Sequence, residues 1–169
     1  MSVYAHSSAL VKLYVPERGH EQIRAITSTL VTAEISRVEL ASALWRKHRM
    51  GELDPSDAHT LTARFEADLD DPVGDIALVA TNPSILDAAL DMVARHGLRA
   101  YDAVQLASAV EARTQLGGLE RFAAFDNDLR AAASAERFGL IPATLGWVSA
   151  QSRTGTASMA AAIASSGRS

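Results

Sequence analysis

Three acidic side chains lie where a predicted strand meets a helix or where a helix begins: Glu39, Asp102 and Asp126. The carboxyl ends of parallel strands meet at one edge of a sheet, so residues at such junctions are expected to share a crevice. Carboxylates gathered there repel one another unless a cation neutralises them. Oxygen ligands of this kind suit Mg²⁺ or Mn²⁺, and either ion can activate a water against a phosphodiester. The spacing therefore predicts a metal site made by these three acids.

Further polar residues fall at the same junctions. His6 and Ser8 follow the first predicted strand, and Asp128 comes two residues after Asp126. Their positions would bring them to the same edge of the sheet as the three acids. We therefore count Asp128 as a supporting residue of the predicted site.

The elements that would position these residues alternate between short apolar runs and longer amphipathic segments, the pattern of an α/β fold. We predict strands at 3–5, 30–33, 76–80, 122–125 and 140–143. We predict helices at 8–14, 19–29, 36–50, 54–68, 82–96, 101–116 and 127–138. Asn82 followed by proline has the pattern of a helix start, and Gly97 that of a helix end.

Each acid also has a purely structural interpretation. Glu39 is the fourth residue of a capping box that begins at Ser36, and such a residue needs no catalytic role. Its apolar surroundings, with Val38 and Leu40 as neighbours, are nevertheless unusual for an unpartnered acid. Asp102 and Asp126 each have the position of a helix N-cap. The joint placement of the three acids, more than any one of them, favours a site.

A basic group follows the first acid along the chain. Arg46, Lys47 and Arg49 lie at the end of the helix predicted to begin at Ser36. Cations are favoured at a helix C-terminus by the helix dipole, which explains them without a ligand. The alternative is that they contact the phosphates of a nucleic acid.

Composition limits the remaining classes of function. The chain has 169 residues, a net charge of −4, no cysteine and only 5% aromatic residues. Thiolate metal sites and cysteine nucleophiles are excluded, and base stacking on aromatic platforms is disfavoured. No phosphate-binding glycine loop or dinucleotide fingerprint occurs. No long apolar run or signal peptide is present, so we expect no membrane association and a cytoplasmic location.

The chain reads as one domain followed by a short tail. Residues 1–148 carry all the predicted elements, and residues 149–169 are rich in serine, alanine, glycine and threonine without any acid. We expect the tail to be flexible.

Four segments resemble the PIN-domain proteins of the VapC toxin type. They are 4–14, 35–41, 101–107 and 125–129, and their order and spacing extend the likeness over roughly residues 1 to 145. The resemblance implies a PIN-like three-layer fold, with a short parallel sheet flanked by helices. It also implies an endoribonuclease dependent on Mg²⁺, with Mn²⁺ as the second choice, in which an activated water cleaves RNA phosphodiester bonds.

The resemblance also assigns residues and partners. It implies that Glu39, Asp102 and Asp126 are the catalytic and metal-binding acids, and that Ser8 is the hydroxyl residue supporting the first acid. It further implies RNA as substrate, inhibition by a cognate VapB-type antitoxin of a type II toxin–antitoxin pair, and a homodimer.

The sequence departs from the family pattern at His6, where an aspartate is expected as the first metal ligand. A neutral imidazole brings neither a negative charge nor a hard oxygen, and it favours Mn²⁺ or softer metals over Mg²⁺. Three interpretations follow: a weakened enzyme, an enzyme using another metal, or an inactivated form of a parent with aspartate.

Two other functions compete with a toxin ribonuclease. The first is a PIN-fold protein that His6 has weakened or inactivated and that retains antitoxin binding. The second is an α/β domain acting in assembly, with alanine-rich helices as its packing faces.

Overall fold

The computed structural model describes residues 2–145, and it contains a five-stranded sheet within that range. The strands are β1 (Ser2–Ala5), β2 (Thr29–Ala33), β3 (Ile76–Val79), β4 (Leu119–Ala123) and β5 (Gly139–Ile141). The helices are α1 (Ser7–Tyr14), α2 (His20–Arg24), α3 (Ser36–Arg49), α4 (Pro55–Asp70), α5 (Pro83–His96), α6 (Ala100–Leu116) and α7 (Asn127–Ala135). The predicted tail at 149–169 and the predicted domain end at 148 lie outside the described residues.

All neighbouring strands pair in parallel, in the order β3-β2-β1-β4-β5. The chain first moves outward from β1 through β2 to β3, then returns to the other side of β1 with β4 and β5. The strand order therefore reverses at β1, and the crevice at the carboxyl ends of the strands is expected at such a reversal.

Successive residues of the central strands bury their side chains in two separate cores. Tyr4, Val31 and Phe122 pack with α5, α6 and α7 on one face. Val3 and Ala123 pack with α1, α3 and α4 on the other face. This alternation gives a sheet between two helical layers. The predicted α/β fold, with a parallel sheet flanked by helices, is confirmed.

Two helices end three or more residues before the predicted position. The second helix ends at Arg24 instead of residue 29, since Ile23 is its one buried residue and the Ile26 N–H bonds the Ile23 carbonyl in a tight turn. The last helix ends at Ala135 instead of residue 138, because Arg137 takes a left-handed conformation with φ of 67°. The sequence carries no glycine or asparagine at position 137 to signal that stop.

The fourth strand also lies earlier than predicted, at Leu119–Ala123 rather than 122–125. Gly117 and Gly118 both have positive φ, so the chain turns at once from α6 into the sheet. Phe125 falls beyond the strand, where its N–H bonds the Ser8 hydroxyl at 3.0 Å.

Both ends of α5 agree with the prediction. The Asn82 side chain accepts a hydrogen bond from the Ile85 N–H at 3.0 Å, and Gly97 ends the helix in the left-handed conformation. Over residues 2–145, none of the helices combines the length and apolar character that crossing a bilayer requires.

Candidate active site

An open cleft of about 1160 Å³ lies at the carboxyl ends of β1, β2 and β4. Residues from α1, α3, α6 and the loop after β4 line it. Of the predicted site residues, the following line the cleft: His6, Ser8, Glu39, Arg46, Lys47, Asp102 and Asp126. The fold thus brings together side chains that are up to 120 positions apart in the sequence.

Asp128 and Arg49 were predicted with that group, but neither lines the cleft. Both are exposed, Asp128 in the first turn of α7 and Arg49 at the end of α3. Asp128 lies two residues after Asp126 and Arg49 two residues after Lys47, and residues two positions apart on a helix point in different directions.

His6 is buried at the start of α1 and contacts an acid across the cleft. Its Nε2 lies 3.4 Å from Asp102 Oδ1, and the imidazole is only 7% exposed. Its Nδ1 accepts the Ser8 backbone N–H at 3.2 Å and lies 2.9 Å from the Ser8 hydroxyl. His6 is therefore the N-cap residue of α1.

The cap fixes which nitrogen of His6 carries the proton. A backbone N–H can only donate, so Nδ1 must offer its lone pair to Ser8. In the neutral ring the proton then lies on Nε2, which faces Asp102. His6 therefore directs an N–H, and not a lone pair, toward Asp102.

Glu39 lies in the first turn of α3 and is half-buried. Its Oε2 accepts a hydrogen bond of 2.5 Å from the side-chain amide of Gln105 on α6. The predicted capping box is wrong: Ile35 is the cap residue, and the buried Ser36 hydroxyl bonds Thr32 and Gln105 instead of the helix backbone. Glu39 therefore takes no part in capping α3.

Asp102 and Asp126 have different local roles. Arg99, not Asp102, is the N-cap residue of α6, and Asp102 follows in the first turn. Asp126 is the N-cap of α7, where its Oδ1 accepts the Leu129 N–H at 3.0 Å. One oxygen of Asp126 therefore stabilises a helix, as predicted for a cap, and the second oxygen is left for other partners.

Two of the basic side chains that line the cleft, Lys12 and Lys47, are paired with acids. Glu17 joins two lysines, with Lys12 Nζ at 2.5 Å and Lys47 Nζ at 2.7 Å, and Lys47 also contacts Glu52 at 2.9 Å. Burial opposes ionisation of Glu17, but the hydrogen bonds and charges of the two lysines outweigh it and lower the pKa of Glu17. Within residues 2–145 Arg46 has no such acidic partner.

The three acids of the cleft lack this kind of pairing. In the described part of the chain, neither Glu39 nor Asp126 forms an ion pair, and the one ion-pair contact of Asp102 is with His6. Among residues 2–145, no three histidine, aspartate or glutamate side chains stand close enough to hold one metal ion.

Gln105 is the residue of the site that sequence reasoning missed. It is completely buried and lies one helical turn after Asp102. An uncharged amide among apolar helix residues gives only a weak signal in the sequence. Its spacing of three residues from Asp102 does place Gln105 on the same side of α6 as Asp102.

The fold is a parallel sheet with helices on both faces, and a cleft lined by Glu39, Asp102 and Asp126 lies where the strand order reverses. Proteins of this α/β class commonly have their active sites at the carboxyl ends of the strands. The PIN domain model matches residues 3–135. The chain therefore belongs to the PIN domain family.

Individual proteins resemble this chain along most of its length. Ribonuclease VapC3 of Pyrobaculum aerophilum is 29% identical over 128 residues, covering 72% of this chain and 91% of that protein. VapC20 of Mycobacterium tuberculosis, a sarcin-ricin loop cleaving toxin, aligns with a TM-score of 0.56 at 18% identity, covering 77% of this chain and 94% of that one. A toxin-antitoxin complex from Klebsiella pneumoniae contains a chain with a TM-score of 0.52 at 15% identity, covering 75% and 87% respectively. These two structural matches establish the fold alone.

Proposed function

We propose that this chain is the toxin of a type II toxin–antitoxin pair, an endoribonuclease that depends on Mg²⁺ or Mn²⁺. The observation that carries the proposal is the clustering of Glu39, Asp102 and Asp126 along one cleft without a lysine or arginine partner in residues 2–145. Acids that share a cleft and have no basic partner favour a cation. The names of the similar proteins, a ribonuclease, a toxin and a toxin-antitoxin complex, agree with this function.

Glu39, Asp102 and Asp126 are the residues that would hold the cation. Their hard oxygens suit Mg²⁺, which is bound by a few carboxylates and keeps several waters. When bound, the cation would lower the pKa of a water and offset charge at the attacked phosphate. Within the described residues the three carboxylates do not stand close enough to hold one metal ion together, so binding of a cation would draw them closer.

The protein's own groups would bind and orient the RNA. Arg46 lines the cleft and is free of an acidic partner within residues 2–145, so its guanidinium is suited to a phosphate. Lys47 is committed to Glu17 and Glu52, which reduces what it can offer. Ser8 links His6 to the loop after β4, since its hydroxyl accepts the Phe125 N–H.

The partners follow from the same proposal. They are RNA, a VapB-type antitoxin, and a second copy of the chain, with both copies in the cytoplasm. Support for the homodimer comes from Leu86, Leu90 and Val93, which are exposed at successive turns along one side of α5. Exposed apolar stripes of this kind are typical of interfaces.

One observation favours a second candidate function, a PIN-fold protein that binds an antitoxin but turns over poorly. The single lone pair of His6 is used by the cap of α1, and its N–H faces Asp102. An aspartate has two oxygens, so it could cap the helix with one and meet a cation with the other. Histidine cannot do both in its observed orientation.

Cleavage assays with purified protein test the proposal. The full chain is incubated with total RNA in Mg²⁺, in Mn²⁺ and in a chelator, and free 5′ and 3′ ends are mapped by sequencing. We expect internal cuts that need the cation and disappear in chelator. Cleavage at full rate in chelator would contradict metal dependence, while tight antitoxin binding without any cleavage would select the second candidate.

A further inference from the structure

A buried polar network connects the centre of the sheet to the acidic cleft. Its members are Tyr4 on β1, Thr32 on β2, Ser36 on α3 and Gln105 on α6, and all four are completely buried. Polar groups in such positions are costly unless each is hydrogen-bonded. The network must therefore be explained by what it holds.

Gln105 uses every polar hydrogen of its amide. Its Nε2 donates to Ser36 Oγ at 2.8 Å and to Glu39 Oε2 at 2.5 Å. Its Oε1 accepts the Tyr4 hydroxyl at 2.7 Å. A carboxamide with both N–H groups engaged and its oxygen occupied has one orientation available.

The Tyr4 hydroxyl and the Glu39 carboxylate together settle which end of the amide faces the acid. The Tyr4 oxygen accepts the Ala33 N–H at 3.1 Å, so its own hydrogen is directed to Gln105. Burial raises the pKa of Tyr4 far above its usual value, which keeps that hydrogen in place. A flipped amide would set its oxygen against the Glu39 carboxylate, with repulsion and two lost hydrogen bonds.

A neutral donor suits an acid that must keep its charge. A lysine or arginine at position 105 would fix Glu39 equally well but would neutralise it, as Lys12 and Lys47 do for Glu17. The Gln105 amide restricts the rotamers of Glu39, occupies only Oε2, and leaves the negative charge available to a cation.

We infer that Gln105 is the positioning residue for Glu39: its buried amide holds the carboxylate at the wall of the cleft, on the same helix that supplies Asp102. The value of this arrangement for catalysis rests on the proposed function. The placement of Glu39 itself does not, and it can be observed without metal or RNA.

The test compares Gln105→Met with a matched control, Thr32→Val. Met is close to glutamine in shape and removes the donor to Glu39. Thr32→Val also removes one buried hydrogen bond, the 2.6 Å contact to Ser36, but leaves the Gln105–Glu39 bond intact. Gln105→Asn is the second variant, because it keeps an amide in the core but withdraws it from Glu39 by one methylene.

Crystal structures of the full chain provide the first measurement. We expect the Glu39 carboxylate to leave its place in both Gln105 variants and to stay in Thr32→Val, although all three proteins melt at lower temperature than the parent. An unmoved Glu39 in the Gln105 variants, or an equal displacement in Thr32→Val, overturns the inference.

Mn²⁺ binding by calorimetry, followed by RNA cleavage, provides the second measurement. We expect affinity and cleavage to fall by about 10- to 100-fold in the Gln105 variants, the range seen when support to a ligand is lost, and to change little in Thr32→Val. Equal Mn²⁺ affinity in all the proteins overturns the link between Gln105 and the cation. If the parent binds no Mn²⁺ while Glu39 moves in the Gln105 variants, the positioning role stands and the proposed function fails.

Discussion

Two pairs of acidic side chains in this protein have opposite kinds of partner. Glu17 and Glu136 each lie between two basic side chains: Glu17 contacts Lys12 and Lys47, and Glu136 contacts Arg95 and His96. In the cleft, Glu39 is held by a neutral amide and Asp126 by a backbone N–H. The ion pairs of Glu17 and Glu136 join elements of the fold, whereas the neutral partners of Glu39 and Asp126 leave the negative charge of these two acids unneutralised.

The difference predicts a separation of effects. Neutralising an acid of the cleft should remove activity with little loss of stability, because no buried cation loses its partner. Neutralising a paired acid should remove stability with little effect on the chemistry, since a buried or half-buried cation is then left alone.

The largest effect is expected for Asp102→Asn. The substitution keeps the size of the side chain and its contact with His6, but it removes one of the three charges proposed to hold the cation. RNA cleavage should fall to background while the melting temperature stays within a few degrees of the parent's. Asp87→Asn, an equal loss of charge at an exposed position of α5, is the control and should cleave normally. Unchanged cleavage by Asp102→Asn would remove this residue from the site.

His6→Asp should act in the opposite direction. An aspartate can cap α1 with one oxygen and present the other to the cleft, so Mg²⁺-dependent cleavage should rise by about 10- to 100-fold, the range that follows changes in groups around a metal. Initial rates on one labelled RNA, measured for both proteins across a Mg²⁺ series, check it. Equal rates for the two proteins, both abolished by chelator, would show that histidine serves at this position.

Glu17→Gln should reduce stability more than any other single change at a paired acid. Lys12 is only 7% exposed and packs over the Phe125 ring at 4.3 Å, so loss of the carboxylate leaves its ammonium buried without a charged partner. We expect the free energy of unfolding to fall by about 1–3 kcal/mol. Chemical denaturation at pH 7 measures it, with the exposed Glu21→Gln of α2 as control. A fall no larger than that of the control would mean that water replaces the pair.

Glu136→Gln should give a smaller loss that depends on pH. Burial opposes ionisation, yet the His96 hydrogen bond and the charges of Arg95 and His96 lower the pKa of Glu136. Since the folded pKa lies below the unfolded one, the stabilisation is complete above about pH 5 and disappears as pH falls through the folded pKa. We expect about 1 kcal/mol at pH 7, reduced because Arg95 is 53% exposed.

Unfolding curves of Glu136→Gln and the parent, from pH 7 down to pH 3, should therefore converge in acid. The exposed Glu120→Gln of β4 should show no such convergence. If the difference in unfolding free energy between Glu136→Gln and the parent stays constant from pH 7 to pH 3, the effect is due to packing and not to charge.

Much of this arrangement could be predicted from local patterns. Alternation of short apolar runs with helical periodicity indicated the α/β order, and Asn82 and Gly97 marked both ends of α5 because caps depend on neighbouring residues. The end of α7 could not be predicted, since Arg137 takes a left-handed conformation without a residue type that signals it. The capping box failed for another reason: Ser36 has better partners in Thr32 and Gln105 than in its own backbone.

The sequence by itself determined the types of group at the strand ends: three carboxylates, a hydroxyl, and a histidine where the family pattern expects an acid. Only the tertiary structure decided which of their atoms remain available. Position 105 lies 66 residues from Glu39 and position 47 lies 30 residues from Glu17, and nothing local joins either pair. Hydrogen bonds and ion pairs form between groups that the packing of sheet and helices brings within about 3 Å, and that packing is set by the buried apolar faces of the whole chain.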